Sequence, residues 1–392
     1  MSRRRVAIAW ILCCLLVGGC RAAPAPPETG PGRAASARGL TALHVRGNSI
    51  LDAADRTVRL LGFNQSGTEY ACIEGWGIFD APDSGSISPS VIEAMAGWRG
   101  ANTVRVPLNE QCWLGIGVPT RYGGAAYRRA IVGYVTALRA QGFAVVLDLH
   151  RSAPGSAPSR DQEQMPDRDH SVEFWRQVAR TFRGDRSVLF DLFNEPAPFG
   201  VVDSPPAWRC WRDGGCLLRS VNGGGSYVAA GMNELIRAIR SQAASNIVVA
   251  GGIDWSENLR GWLEYKPTDP LGNLIADFHA YSFNTECASE RCYNSDLARV
   301  VAAVPLIAGE VGPDLTIDYD QAHARCPREA VSSTGFDRTL LDWLDAYGAG
   351  FTAWTFNTWS SCWALVTNWS GTPTSAWGRW FRSRLAVSTR FG

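Results

Sequence analysis

Residues 188–198 read VLFDLFNEPAP: an apolar run interrupted only by Asp191, then a carboxamide, a carboxylate and two prolines. A run this apolar suits a strand buried on both faces, as in a parallel sheet, rather than one face of an antiparallel ribbon. Taken alone, its polar end is ordinary turn chemistry. Its meaning depends on whether comparable strands surround it.

They do. Outward from this stretch, β-rich runs recur as VRLLGFN (58–64), NTVRVP (102–107), FAVVLDLH (143–150), NIVVAGG (246–252), LIADFHA (274–280), VPLIAGE (304–310) and GFTAWTF (350–356). Between them lie stretches with helical spacing: Ser88–Trp98, Ala125–Gln141, Ser171–Arg183, Ser226–Ala244, Ser256–Tyr265, Ser295–Val301, Phe336–Tyr347 and a last segment, Ser375–Leu385. Strand and helix alternating eight times predict an α/β fold, a single (β/α)8 TIM barrel with long loops. A doubly wound sheet is the alternative, but GFNQSGTEY after the first strand lacks a glycine-rich phosphate loop. The segment before it, LHVRGNSILDAADRTVRL, is expected to form a small hairpin closing the barrel floor.

The chain begins with MSRRR and an apolar run to Val17, the pattern of an export signal and too short to span a bilayer comfortably. The end of that run, LVGGC, resembles the lipobox of bacterial lipoproteins. The resemblance implies a signal peptide over 1–19 and lipid attachment at Cys20; the Ala/Pro/Gly-rich stretch to residue 40 reads as a flexible tether, and residues 41–392 as one domain. The expected location is the cell envelope by a lipid anchor in the membrane, or the secreted fraction. Eight cysteines remain beyond Cys20, an even number that suits disulfides in an exported chain. The expected pairs are Cys72–Cys112, Cys210–Cys216, Cys287–Cys292 and Cys326–Cys362, stapling the βα loops. With no CxxC after the signal and scattered histidines, no metal or other cofactor is expected. Without Arg3, Arg4 and Arg5, 35 basic residues face 37 acidic ones, from totals of 38 and 37. No basic stripe for nucleic acid results, and a monomer is expected.

In a parallel barrel the loops that build a site converge at the C-terminal strand ends. Those ends carry Arg105, His150, Asn194 and Glu195, His279 and Tyr281, Glu310, and Trp354. Two carboxylates facing each other across a barrel mouth are what glycoside hydrolysis requires, one to protonate the leaving oxygen and one to attack or to activate water. Arg105 beside one carboxylate keeps it ionised, while a second, less well paired, stays protonated. Asn194 can bond a sugar hydroxyl, and Trp354 offers a flat face to a pyranose.

In order and position these residues resemble glycoside hydrolase family 5, the cellulase family of clan A, over roughly residues 42–385. The resemblance implies that Glu195 is the general acid/base and Glu310 the nucleophile of a retaining mechanism. It further implies that Asn194 binds the 2-hydroxyl, that Tyr281 and Arg105 position Glu310, and that His279 supports Glu195. His150 and Trp354 would line the subsite of the sugar that becomes attached. The implied substrate is a β-linked glucan or mannan, with an endo-β-1,4-glucanase as the first expectation. A carbohydrate-binding lipoprotein with little chemistry is the alternative; a serine esterase is set aside for want of a GxSxG elbow. Glu69, Glu74, Asp80 and Trp76 of the first long loop are further candidates for a subsite. Trp113, Trp208, Trp211, Trp255, Trp359 and Trp363 fall in predicted loops, where some would contact sugar. PDRDH (166–170), with Asp167, Asp169 and His170, reads as a solvated loop capping the next helix rather than a metal site.

Overall fold

The computed structural model describes residues 40–281, 287–313, 336–359, 361–374 and 377–389. The signal, Cys20 and most of the tether, together with Cys326, lie outside the described residues. Eight parallel strands close into a barrel: β4 (Leu61–Asn64), β5 (Thr103–Asn109), β6 (Ala144–Arg151), β7 (Val188–Asp191), β10 (Val248–Gly251), β11 (Leu274–Tyr281), β12 (Leu306–Gly312) and β13 (Gly350–Ala353). All eight predicted strands are present, and β13 pairs back onto β4 through Phe351–Leu61, Thr352–Gly62 and Ala353–Phe63.

Alternation along the strands splits the barrel interior in two. Val146, Leu189, Val249, Ile275 and Ile307 form an apolar cluster distinct from the larger one on the helix side of the barrel. Two residues further along three of the same strands stand Asp148, Asp191 and Asp277, all buried. The floor is therefore apolar and the upper half charged. Ahead of the barrel, β1 (His44–Arg46), β2 (Ser49–Leu51) and β3 (Thr57–Val58) form an antiparallel sheet of three strands. The expected hairpin has one more strand, and its Leu43 and Ile50 join the floor cluster.

Two helices are shorter or absent relative to expectation. Ser226–Ala244 divides at Gly231 into a strand, β9 (Ser226–Ala230), and a helix, Met232–Arg240. Tyr227 is buried and Val228 exposed, a period of two that belongs to a strand. β9 pairs with β8 (Gly214–Arg219), a hairpin not foreseen, and the preceding helix Pro205–Asp213 was not foreseen either. Residues 256–265 form turns instead of a helix, because Asp254, Trp255 and Ser256 adopt left-handed φ values of 58°, 57° and 63°. The other helices lie where the spacing predicts them. Gly142, at φ 91°, ends Ala125–Ala140 as a left-handed residue just past the cap.

Disulfides join Cys72 to Cys112, Cys210 to Cys216 and Cys287 to Cys292. Cys72–Cys112 ties the loop after β4 to the helical turn after β5 across a sequence separation of 40. Closing a loop of this length restricts the unfolded chain by about 4 kcal/mol. Replacing both cysteines by alanine should lower the stability extrapolated from urea unfolding by about that amount; an unmoved midpoint would mean that the loop is held by other contacts.

Candidate active site

β7 stops at Asp191, but the chain continues along its neighbours: Leu192 N–H bonds Val249 O at 3.0 Å and Asn194 N–H bonds Leu149 O at 3.0 Å. Glu195 then takes φ 48°, a left-handed conformation that costs a non-glycine residue about 1–3 kcal/mol. The turn leaves Glu195 half-buried at the rim, its Oε1 3.0 Å from His279 Nδ1. His279 Nε2 reaches Asp277 Oδ2 at 3.2 Å. Burial opposes a charge on His279, but Glu310, Asp277 and Glu195 outweigh it and raise its pKa well above the ordinary range.

Across the mouth, Glu310 is almost fully buried at the end of β12. Arg105 Nη1 donates to its Oε1 at 2.7 Å and Tyr281 Oη to its Oε2 at 2.5 Å. Burial, then Glu310 itself, pushes the Tyr281 phenol well above its usual range, so it stays a donor. The glycines of AGEVG make room for this: a Cβ at Gly309 would lie 2.5 Å from Asp277 Oδ2, and one at Gly312 2.6 Å from the Tyr281 ring. One carboxylate oxygen each of Glu195 and Glu310 and a ring nitrogen of His279 lie within 4.8 Å of one another.

Arg105 organises the layer beneath. It donates to Asp191 Oδ2 at 3.0 Å, Asn64 Oδ1 at 3.1 Å and Asn194 Oδ1 at 2.9 Å, and stands 3.2 Å from Asp148 Oδ2. Asp148 and Asp191 are register partners on β6 and β7, and burial drives both pKa values upward despite Arg105. Asp148 Oδ2 also meets His150 Nδ1 at 2.6 Å. The His150 ring stacks on Trp354, centroids 5.5 Å apart at 13°, and burial lowers its pKa well below the usual range. The structure thus brings all eight residues expected from the strand ends, Arg105, His150, Asn194, Glu195, His279, Tyr281, Glu310 and Trp354, to one end of the barrel, with Arg105 beneath the rest.

Sequence reading missed the supporting carboxylates Asp148, Asp191 and Asp277. The signal was present: Asp148 and Asp277 stand two residues before His150 and His279, on the same inward face.

The first loop behaves as a unit. Asp80 Oδ2 accepts from Tyr70 Oη at 2.5 Å, Trp359 Nε1 at 2.8 Å and Asn357 Nδ2 at 3.2 Å. Tyr70 lies between Trp76, with centroids 6.0 Å apart, and Trp359, at 6.2 Å, and Trp359 neighbours Trp354. An aromatic track therefore runs from Trp354 to the exposed Trp76. Glu74 is exposed near Arg160, at 3.4 Å. Trp255 is exposed, whereas Trp359 and Trp363 are half-buried. Trp113, Trp208 and Trp211 are instead core residues, buried between loops and helices, and do not face the cleft.

Glu69 is buried, its Oε2 accepting from Gly67 N–H at 2.6 Å, and burial raises its pKa from 4.5 to about 7. A raised carboxyl pKa in the folded state stabilises fully below the unfolded value and loses that contribution as pH climbs through the folded one. Stability should fall between pH 4.5 and about 7 in part through this group. Glu69→Gln should flatten thermal stability across that window; an unchanged slope would assign the pH dependence to other carboxyls.

PDRDH is not a solvated loop at Asp167. That residue is buried; it caps the next turn by accepting from His170 N–H at 2.8 Å, and a carboxylate oxygen of Asp167, one of Glu110 and a ring nitrogen of His170 lie within 4.8 Å of one another. Burial and then Asp167 raise the Glu110 pKa well above the usual range. Asp169 lies apart from this cluster and is exposed.

A family model described as Cellulase (glycosyl hydrolase family 5) matches residues 51–360. The chain belongs to glycosyl hydrolase family 5. Endoglucanase 1 of Robillarda sp. (strain Y-20) is 23% identical over 267 residues, covering 59% of this chain and 62% of that protein. The chain spans under two thirds of the length of the curated relatives it matches. Among solved structures, the β-glucanase SdGluc5_26A from Saccharophagus degradans is similar with a TM-score of 0.65 at 19% identity, over 88% of this chain and 93% of that one. The catalytic domain of Thermobifida fusca endoglucanase Cel5A gives 0.57 at 18%, over 88% and 96%. At these identities the likeness is one of fold.

Proposed function

We propose that this chain is a retaining β-glycoside hydrolase acting on a β-glucan, in the manner of an endo-β-1,4-glucanase. The observation that carries the reading is the carboxylate pair: oxygens of Glu195 and Glu310 within 4.8 Å of each other. Retaining enzymes hold their carboxyl groups about 5–5.5 Å apart, whereas inverting ones leave room for a water at about 6.5–9.5 Å. Glucan is favoured over mannan because the relatives are glucanases, and SdGluc5_26A has been solved with cellotetraose. The non-catalytic alternative is not favoured.

In this reading Glu195 gives its proton to the departing glycosidic oxygen while a Glu310 oxygen attacks the anomeric carbon. The C–O bond breaks and a glycosyl ester forms. Glu195 then takes a proton from water, which attacks the same carbon and releases Glu310. Arg105 and Tyr281 hold the Glu310 carboxylate in one orientation before reaction, so little reorganisation accompanies it. His279 fixes Glu195. His150 and Trp354 form one wall of the subsite for the attacked sugar, and Trp359, Tyr70 and Trp76 extend it outward.

The test is hydrolysis of cellotetraose, mixed-linkage β-glucan and β-mannan, with the first-formed anomer followed by NMR. The β-anomer should appear first. Initial α-anomer, or no hydrolysis of any of the three, would overturn the reading.

We further propose that residues 41–392 act as one catalytic domain exported by the N-terminal signal and anchored through lipidated Cys20. The three disulfides among the described residues support an oxidising compartment. Cys20→Ala should move the protein from the membrane fraction to the soluble one; equal partition of both forms would remove the anchor.

A further inference from the structure

We infer that Gln162 is a positioning residue for Asn194, fixing which amide hydrogen Asn194 presents to the sugar hydroxyl next to the scissile bond. The inference rests on the proposal that Asn194 binds the 2-hydroxyl. A carboxamide has one acceptor oxygen and two N–H donors, and rotation about its terminal bond exchanges them. Arg105 Nη2 donates to Asn194 Oδ1 at 2.9 Å, which sets the oxygen. Asn194 Nδ2 donates to Gln162 Oε1 at 3.0 Å, which uses one hydrogen and leaves the second for substrate. Gln162 is itself oriented, because its Nε2 donates to the backbone carbonyl of Asn194. The two amides therefore hold each other in register, with Arg105 linking the pair to Glu310.

Gln162 sits in the long loop between β6 and the helix Ser171–Phe182, where a side chain has fixed geometry only if the loop is tied down. The β8–β9 hairpin supplies the tie. Asn222 Oδ1 accepts from the backbone N–H groups of Arg160 and Asp161, both at 2.8 Å. Asn222 Nδ2 donates to Asp161 O and to Glu163 Oε1, each at 2.9 Å. Buried Glu163 also accepts from Val221 N–H at 3.1 Å and from the Ser220 hydroxyl. Residues on both sides of Gln162 are thus bonded to one turn. That turn is closed by Gly223, Gly224 and Gly225 at φ 94°, 86° and 92°, values that glycine adopts without strain.

An amide held before substrate arrives contributes most where its hydrogen bond strengthens in the transition state. Gln162→Met keeps the length and removes the acceptor. With an aryl β-cellobioside, it should lower kcat/KM about tenfold, the worth of one such bond, with most of the loss in kcat. With the matching 2-deoxy substrate, deoxygenated on the sugar attacked by Glu310, wild type and variant should agree within about twofold, since no hydroxyl remains for Asn194 to address. Asn222→Ala, remote from the sugar, should show the same substrate split at smaller size.

Equal losses on both substrates, or no loss from Gln162→Met on either, would overturn the inference. A wild-type enzyme that hydrolyses the 2-deoxy substrate as fast as its parent would overturn the role of Asn194 itself, a distinguishable failure.

Discussion

Glu310→Ala is expected to lower kcat by on the order of 10⁵-fold, the scale seen when a covalent nucleophile is removed. The fold should survive. Arg105, which loses its 2.7 Å bond to Glu310, keeps Asp191, Asn64 and Asn194 as acceptors, so no unpaired cation is left in the barrel. Circular dichroism should match the wild type, and turnover on cellotetraose should be near background. Azide added to the variant can enter the space left by the carboxylate and attack the anomeric carbon directly. Its product should carry the α configuration, one inversion in place of two. Wild-type turnover in Glu310→Ala would end the nucleophile assignment, and a β-azide would end the assignment of face.

Glu195→Gln should behave differently according to the leaving group. General acid catalysis contributes about 10²–10⁴-fold, so hydrolysis of a cello-oligosaccharide, whose departing alkoxide is a poor leaving group, should fall by about that factor. A dinitrophenyl glycoside needs no proton to depart, and its first step should be nearly unimpaired. Deglycosylation lacks its base, so stopped-flow traces should show a burst of phenol followed by a slow steady state. Glutamine preserves an acceptor for His279, now 3.0 Å from Glu195 Oε1, so geometry is not the variable. Equal losses on the two substrates would argue that Glu195 binds rather than transfers a proton.

Much of this site was legible because a barrel strand advertises its own end. A buried run of valine, leucine and isoleucine that stops at Asn-Glu, at His or at Glu identifies both the strand and the rim residue. What remained hidden had a different origin. Asp148, Asp191 and Asp277 interrupt apolar runs and look like blemishes until the period of two assigns them to the inward face beneath Arg105. Trp113, Trp208 and Trp211 stand in segments between strands, yet they pack into the core on the helix side of the barrel, a fate that composition does not separate from sugar stacking. Gln162 carries no local signal at all. Its partner Asn194 lies 32 residues away, and the turn that fixes its loop belongs to a hairpin whose second strand falls inside the segment Ser226–Ala244 with helical spacing.

The pairing of β13 with β4 joins segments near opposite ends of the domain. Until Gly350–Ala353 is in place, β4 and β12 each present an unsatisfied ladder of backbone donors and acceptors, the kind of edge that recruits other chains. A nascent chain or truncated fragment lacking β13 is thus an open sheet with two adhesive sides. Deletions that stop short of Ala353 should be recovered as aggregates, however intact Glu195 and Glu310.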